Sequence, residues 1–184
     1  MSNVLVPLAQ GCEELEAVTI IDLLRRAEIN VVTASLDNEP VHASRGTVLI
    51  ADKSLDDALQ EEFDMVVLPG GLPGADHLNK DPRIQQLLKQ MASSNKFTAA
   101  ICAAPKVLAT AGILSGKRAT SYPGTLEKLA LEDTSIENIP VVVDGKVVTS
   151  RGPGTAMDFA LELIELLSGK EARQAVDEGL QRPV

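Results

Sequence analysis

The sequence predicts an α/β fold, a mostly parallel sheet covered on both faces by helices, and three observations predict it. Short apolar runs alternate with amphipathic stretches along the chain, the pattern of repeated strand–helix units. Runs such as 3–8 (NVLVPL) and 64–68 (DMVVL) are apolar nearly throughout, as strands buried on both faces are. The chain has 184 residues, 45% of them hydrophobic, which suits one sizeable core better than two small ones. No repeat, low-complexity stretch or linker interrupts it, so one domain is expected over 1–184.

Residues 3–8 read as the first strand and 13–26 as a helix. On that helix Ala17, Ile20, Ile21 and Leu24 recur at the spacing of one buried stripe. Val and Thr in 30–35 predict the next strand, and 41–51 a short hairpin with Gly46 near its turn. Residues 55–62 form a small acidic helix whose charges read as a solvated face. The strand 64–68 is stopped by Pro69, Gly70 and Gly71; a helix over 82–94 and a strand over 97–101 follow. After Cys102 the chain returns to helix through Ala111, with Gly112 as its C-terminal cap. A strand over 117–121, a helix over 125–131 and an Asp-Gly hairpin over 141–150 (VVVDGKVVTS) come next. The last helix runs from 153 to 167 with Met157, Ala160, Leu161, Ile164 and Leu167 inward, and Gly169 ends it.

Seventeen basic against 26 acidic residues leave a net charge of −9. A sequence-independent grip on phosphate backbones needs clustered Lys and Arg, so nucleic acid is not a favoured partner, and neither is an anionic membrane. No basic leader precedes a secretory-type apolar run, and no stretch is apolar enough to span a bilayer. Two cysteines, Cys12 and Cys102, make a disulfide framework unnecessary, and a reducing cytoplasm is the expected compartment. No metal-ligand pattern, P-loop or dinucleotide fingerprint occurs, and no cofactor is expected.

The chemistry is expected at 97–108 (FTAAICAAPKVL), where a strand runs into Cys102 and then into a helix. Ligands of open α/β sheets gather at the carboxyl ends of strands. Ala103 and Ala104 leave room for a sharp turn, and Pro105 suits the first helical turn. A cysteine at a helix N-terminus gains thiolate character, and the thiolate is both the nucleophile and the species oxidised to sulfenic and sulfinic acid. Free cysteine is also often a small buried hydrophobe; the strand-end position among small residues favours function. Gly70 and Gly71 end another strand at the same sheet edge. Consecutive glycines bring backbone N–H groups close to an anion, as an oxyanion hole requires, although an ordinary tight turn uses them too.

Taken in order, 11–16 (GCEELE), 25–27 (RRA), 44–46 (SRG), 68–71 (LPGG), 100–105 (AICAAP) and 150–155 (SRGPGT) resemble the ThiJ/PfpI superfamily. The likeness is to its branch of the parkinsonism-associated protein deglycase and bacterial YajL, and it covers nearly the whole chain. The resemblance implies a flavodoxin-like three-layer sandwich and a homodimer. It implies that Cys102 is a low-pKa nucleophile hydrogen-bonded by Glu16. Helical spacing alone leaves Glu13, Glu14 and Glu16 open; only the motif selects Glu16. A carboxylate beside a thiolate raises both pKa values, so Glu16 is expected to be protonated and to donate to sulfur. The N–H groups of Gly71 and Ala103 are expected to form the anion site, with Gly70, Arg45 and Tyr122 at the pocket or interface.

Two departures stand out. Relatives with protease-like activity carry a histidine directly after the cysteine, where this chain has Ala103. Some members of the deglycase branch place a histidine before a proline, where 120–124 (TSYPG) has Tyr122. The two histidines, His42 and His77, match no catalytic position, so a Cys-His hydrolase is not expected. Cys12 precedes the glutamates and is either a resolving thiol for Cys102 or a lone small loop residue. The resemblance implies one of two functions: a cofactor-independent glyoxalase or deglycase acting on small α-oxoaldehydes or glycated protein groups, or a non-enzymatic peroxide sensor and chaperone switched by oxidation of Cys102. Thiamine-pathway chemistry has no phosphate motif to support it.

Overall fold

A computed structural model describes residues 1–182. β1 (Asn3–Leu8) leads into α1 (Glu14–Arg26), and β2 (Asn30–Ser35) returns parallel to β1, with Asn3 opposite Asn30 and Leu8 opposite Ser35. β3 (Val41–His42) and β4 (Val48–Leu49) form the expected hairpin, with Gly46 at φ +97° before its return strand. β5 (Lys53–Ser54) joins the sheet edge beside β2 and leads into α2 (Leu55–Ala58). Then come β6 (Met65–Leu68), α3 (Gly74–Lys80), α4 (Pro82–Ser93), β7 (Phe97–Ile101) and α5 (Pro105–Thr110). β8 (Arg118–Ala119) and β9 (Ser135–Ile136) pair with each other outside the main sheet. The hairpin β10 (Val141–Asp144) and β11 (Val147–Ser150) precedes α6 (Ala156–Ser168) and α7 (Lys170–Gly179).

The seven-stranded sheet has the order β10-β11-β7-β6-β1-β2-β5, and every pair is parallel except β10 with β11. The five central strands follow the flavodoxin-like order, with β1 beside β6 at the point where the winding reverses. α1, α6 and α7 pack together as one layer, and α3, α4 and α5 form the other. Strand interiors are aliphatic: all four residues of β6 are buried, as are Val4, Leu5 and Val6 of β1. No described helix is long and apolar enough to cross a membrane.

Several elements differ from expectation. Ala17, Ile20 and Leu24 are buried on α1 as predicted, but Leu23 is buried too and Ile21 only half so. On α6, Met157 is 45% exposed while Phe159 and Leu163 are buried. That helix packs on α1, α7 and the β10–β11 hairpin, which buries an arc wider than one stripe. The helix expected over 55–62 stops at Ala58, and the strand over 117–121 keeps two residues. The helix over 125–131 is a 3-10 turn at Glu127–Leu129, closed by Ala130 at φ +48°. α3 and α7 were not expected. α3 is short and packed between glycine and proline signals; α7 is polar and buries only Val176, being tied to α6 through Arg173 with Glu162 and Glu165.

Candidate active site

Three segments converge at the carboxyl ends of β1, β6 and β7. After β7, Cys102 takes φ +65°, a left-handed conformation that a non-glycine residue holds only under constraint from its surroundings. The constraint is visible. Cys102 N–H donates to Ser150 O at 2.9 Å, Cys102 O accepts from Tyr122 N at 2.8 Å, and Ala104 N–H closes the turn on Ile101 O at 3.0 Å. β11 and the 120s loop thus clamp the elbow from both sides.

Close approach makes the glycines obligatory. Gly70 N–H donates to Glu16 Oε2 at 2.8 Å, and Gly70 O accepts from Glu13 N at 3.0 Å. A Cβ on Gly70 would lie 2.6 Å from Cys102 Cβ and 2.8 Å from Glu16 Oε2; one on Gly71, whose φ is +87°, would lie 2.4 Å from Glu13 N. Cys102 and Glu16 therefore meet around a backbone with no room for a side chain.

The fold separates the three glutamates. Glu13 caps α1, its Oε2 accepting from Glu16 N at 2.7 Å. Glu14 turns outward to the hairpin and accepts from Arg45 N at 2.9 and 3.0 Å and from Ser44 Oγ at 3.2 Å. Glu16 alone points into the protein and is fully buried. Its Oε1 has no partner in hydrogen-bond geometry, yet the Cys102 thiol acts on its ionisation as a hydrogen-bonding neighbour. An unpaired buried carboxyl oxygen is where a proton would reside.

Burial pushes the Glu16 carboxyl from its ordinary 4.5 up to about 7, against the opposing pull of the Gly70 N–H and the Cys102 thiol. Burial is also the main cause that pushes the Cys102 thiol up to about 12, followed by the charge of Glu16 and its hydrogen bond. Both oppose the thiolate that a cysteine at a helix N-terminus is expected to favour. The groups that do favour the thiolate are the N–H groups of Gly71 and Ala103, the pair expected as the anion site. The carboxyl and thiol titrate together. When Glu16 takes the proton, the charge that opposes the thiolate is gone.

A cavity of about 370 Å³ opens over Cys102, walled by Gly71, Ala103, Tyr122, Arg45 and Ser44 along with Glu13, Leu72, Thr125 and Pro153. Arg45 has no carboxylate partner among the described residues; its Nη1 donates to Ser44 O at 3.3 Å. Tyr122 is half exposed, its ring against Gly152, where a Cβ would meet Cδ2 at 3.3 Å. His42 and His77 are exposed and wall no part of this cavity. The Cys12 thiol is fully buried, is pushed up to about 11 chiefly by burial, and does not line it. Sequence reasoning missed Glu13, Ser44, Leu72, Thr125 and Pro153 as walls. Glu13, Ser44, Leu72 and Pro153 lie within or beside the motifs, whereas nothing in the sequence marks Thr125. Among the described residues no three His, Cys, Asp or Glu side chains converge as metal ligands.

A flavodoxin-like sheet with a constrained cysteine and a buried carboxyl at its strand ends defines a class of cysteine-centred α/β proteins. Within that class the chain belongs to the DJ-1/PfpI family, whose sequence profile matches residues 2–166. It is 48% identical over 171 residues to Protein DJ-1 homolog B of Arabidopsis thaliana, covering 92% of this chain and 39% of that protein. It thus spans less than half the length of that relative. It is 36% identical over 162 residues to the glutathione-independent glyoxalase DJR-1.2 of Caenorhabditis elegans, covering 88% of this chain and 86% of that one. The crystal structure of Drosophila melanogaster DJ-1beta superposes with a TM-score of 0.95 at 44% identity, covering both chains completely.

Proposed function

We propose that the protein is a cofactor-independent glyoxalase, or a deglycase using the same chemistry on early glyoxal adducts of proteins. The observation that carries this reading is a buried carboxyl, Glu16, brought to about 7 beside Cys102 at a constrained elbow. A group with a pKa near the working pH can both accept and return a proton. The glyoxalase name of the Caenorhabditis relative supports the same class of reaction.

For methylglyoxal the steps balance without an oxidant. The Cys102 sulfur adds to the aldehyde carbon, and the oxygen takes a proton to give a hemithioacetal. Glu16 removes the hydrogen from that carbon and returns a proton to the neighbouring one, so the first carbon is oxidised and the second reduced within one molecule. Water then cleaves the resulting thioester, releasing the hydroxy acid and the thiol. The Gly71 and Ala103 N–H groups favour negative charge at sulfur, and Arg45 and Tyr122 line the space the substrate would occupy. Incubating purified protein with methylglyoxal and no added cofactor should yield lactate. Absence of lactate with the fold intact would remove the enzyme reading.

The same cradle suits a second reading, a redox sensor and chaperone, because two N–H groups and a protonated carboxyl also hold a sulfinate. Peroxide should then add two oxygens to Cys102 and change partner binding without any turnover. We also propose a homodimer through the outer face of α1 and the β3–β4 hairpin, where Leu15, Val18, Val48 and Ile50 are 46–83% exposed. A monomeric mass in light scattering would rule it out. Two free, buried cysteines suit a reducing cytoplasm.

A further inference from the structure

The cavity over Cys102 is not the roomiest on the molecule. A cavity of about 650 Å³ lies at the opposite edge of the sheet, where β7 begins and the β10–β11 turn closes. Residue 98 of β7 lines it, and four residues further on, roughly 13 Å along an extended strand, lies Cys102. Nothing in the proposed reaction uses it.

Its wall inverts the charge of the protein. The chain carries 26 acidic and 17 basic residues, yet Lys89, Lys96, Lys117 and Lys146 all line this one cavity and no Asp or Glu does. Two of the four are matched by carboxylates outside the wall: Lys96 Nζ meets Asp64 at 2.7 Å, and Lys117 Nζ meets Asp144 at 3.4 Å. Lys89 and Lys146 have no carboxylate partner among the described residues. Lys146 Nζ instead lies 3.8 Å from the centre of the Phe97 ring. α4 and α5 both end at this wall, and each C-terminus contributes roughly half a negative charge. That offsets about one of the two unmatched cations, so the cavity stays positive.

We propose that this cavity binds a small phosphorylated organic anion bearing at least two phosphate charges. An ammonium is a compact point charge with three donors, which suits phosphate oxygens. The planar arginine fork that recognises carboxylates in bidentate fashion is absent from the wall. Lysines from four separate segments border a space of about 650 Å³, which favours an anion larger than one orthophosphate. Ile113 and Val147 supply an apolar surface for a carbon skeleton, and the Asn95 amide adds a donor.

The test is an amide-resolved NMR titration of the full chain with inorganic pyrophosphate, with orthophosphate as the comparison. Pyrophosphate should shift the amides of Gly112, Ile113 and Gly145 at lower concentration than orthophosphate does. Lys89→Gln with Lys146→Gln should weaken it at least about tenfold, the loss expected for charge-assisted bonds, whereas the matching Arg pair should retain binding. The amide spectrum itself reports whether each variant is folded. No shift at millimolar pyrophosphate, shifts centred on Gly71 and Ala103, or unchanged affinity in the folded Gln pair would each overturn the proposal.

Discussion

Replacing Glu16 by Gln separates the two things that carboxyl is asked to do. Gln retains an oxygen to accept from the Gly70 N–H and gains an amide that can donate to sulfur, but it cannot carry a proton. The stability effect has a definite sign. Burial raises the native-state pKa from 4.5 to about 7, so the native protein prefers the protonated form. That preference is fully present below about 4.5 and is lost as pH rises through about 7. The gap corresponds to about 3 kcal/mol in a fully buried group, taken as an order of magnitude. For a chain of this size it amounts to roughly 6–12 °C in Tm. Wild type should therefore lose stability relative to Glu16→Gln between pH 5 and pH 8, and the variant should melt higher at pH 8. Its lactate formation should fall by about 10²–10⁴-fold, the usual contribution of a positioned acid–base group. Melting curves across pH and a lactate assay at neutral pH measure both. Parallel pH–Tm curves for the two proteins, or variant turnover within a few-fold of wild type, would refute the assignment.

Three more outcomes follow from the same geometry. Iodoacetamide should label Cys102, which lines a cavity, much faster than fully buried Cys12; equal rates by mass spectrometry would mean that the elbow confers no accessibility. Gly70→Ala should cost about 1–3 kcal/mol, because its Cβ would fall 2.6 Å from Cys102 Cβ. Denaturant melts measure that loss, and a neutral result would show that the junction yields. Tyr122→Phe should slow lactate formation by only about two- to tenfold, the worth of one hydrogen bond to substrate, while Cys102→Ser should abolish it. A Phe variant as inactive as the Ser variant would make the phenol an obligatory proton carrier.

Strands 3–8, 30–35 and 97–101 were legible because each is a short run dominated by apolar residues and threonine, without charge, and such runs have few alternatives to a buried strand. Cys102 was legible because a strand end, two alanines and a proline fall together in six residues. What the chain could not state locally was which glutamate faces the thiol. Glu13, Glu14 and Glu16 share one helical turn, and the cap, the hairpin and Gly70 that separate them arrive from elsewhere in the chain. α3 and α7 escaped notice because short or polar helices bury too little to leave a periodic trace. The balance at sulfur was tertiary too. The local turn favours a thiolate, but desolvation by the packed core and the approach of Glu16 raise the thiol, and both depend on residues distant in sequence. The lysine-lined cavity follows the same rule. Its cations lie at 89, 96, 117 and 146, unremarkable one by one, and the pairing of β7 with β11, with α4 packed on β7 and β8 beside the β10–β11 hairpin, brings them to one space.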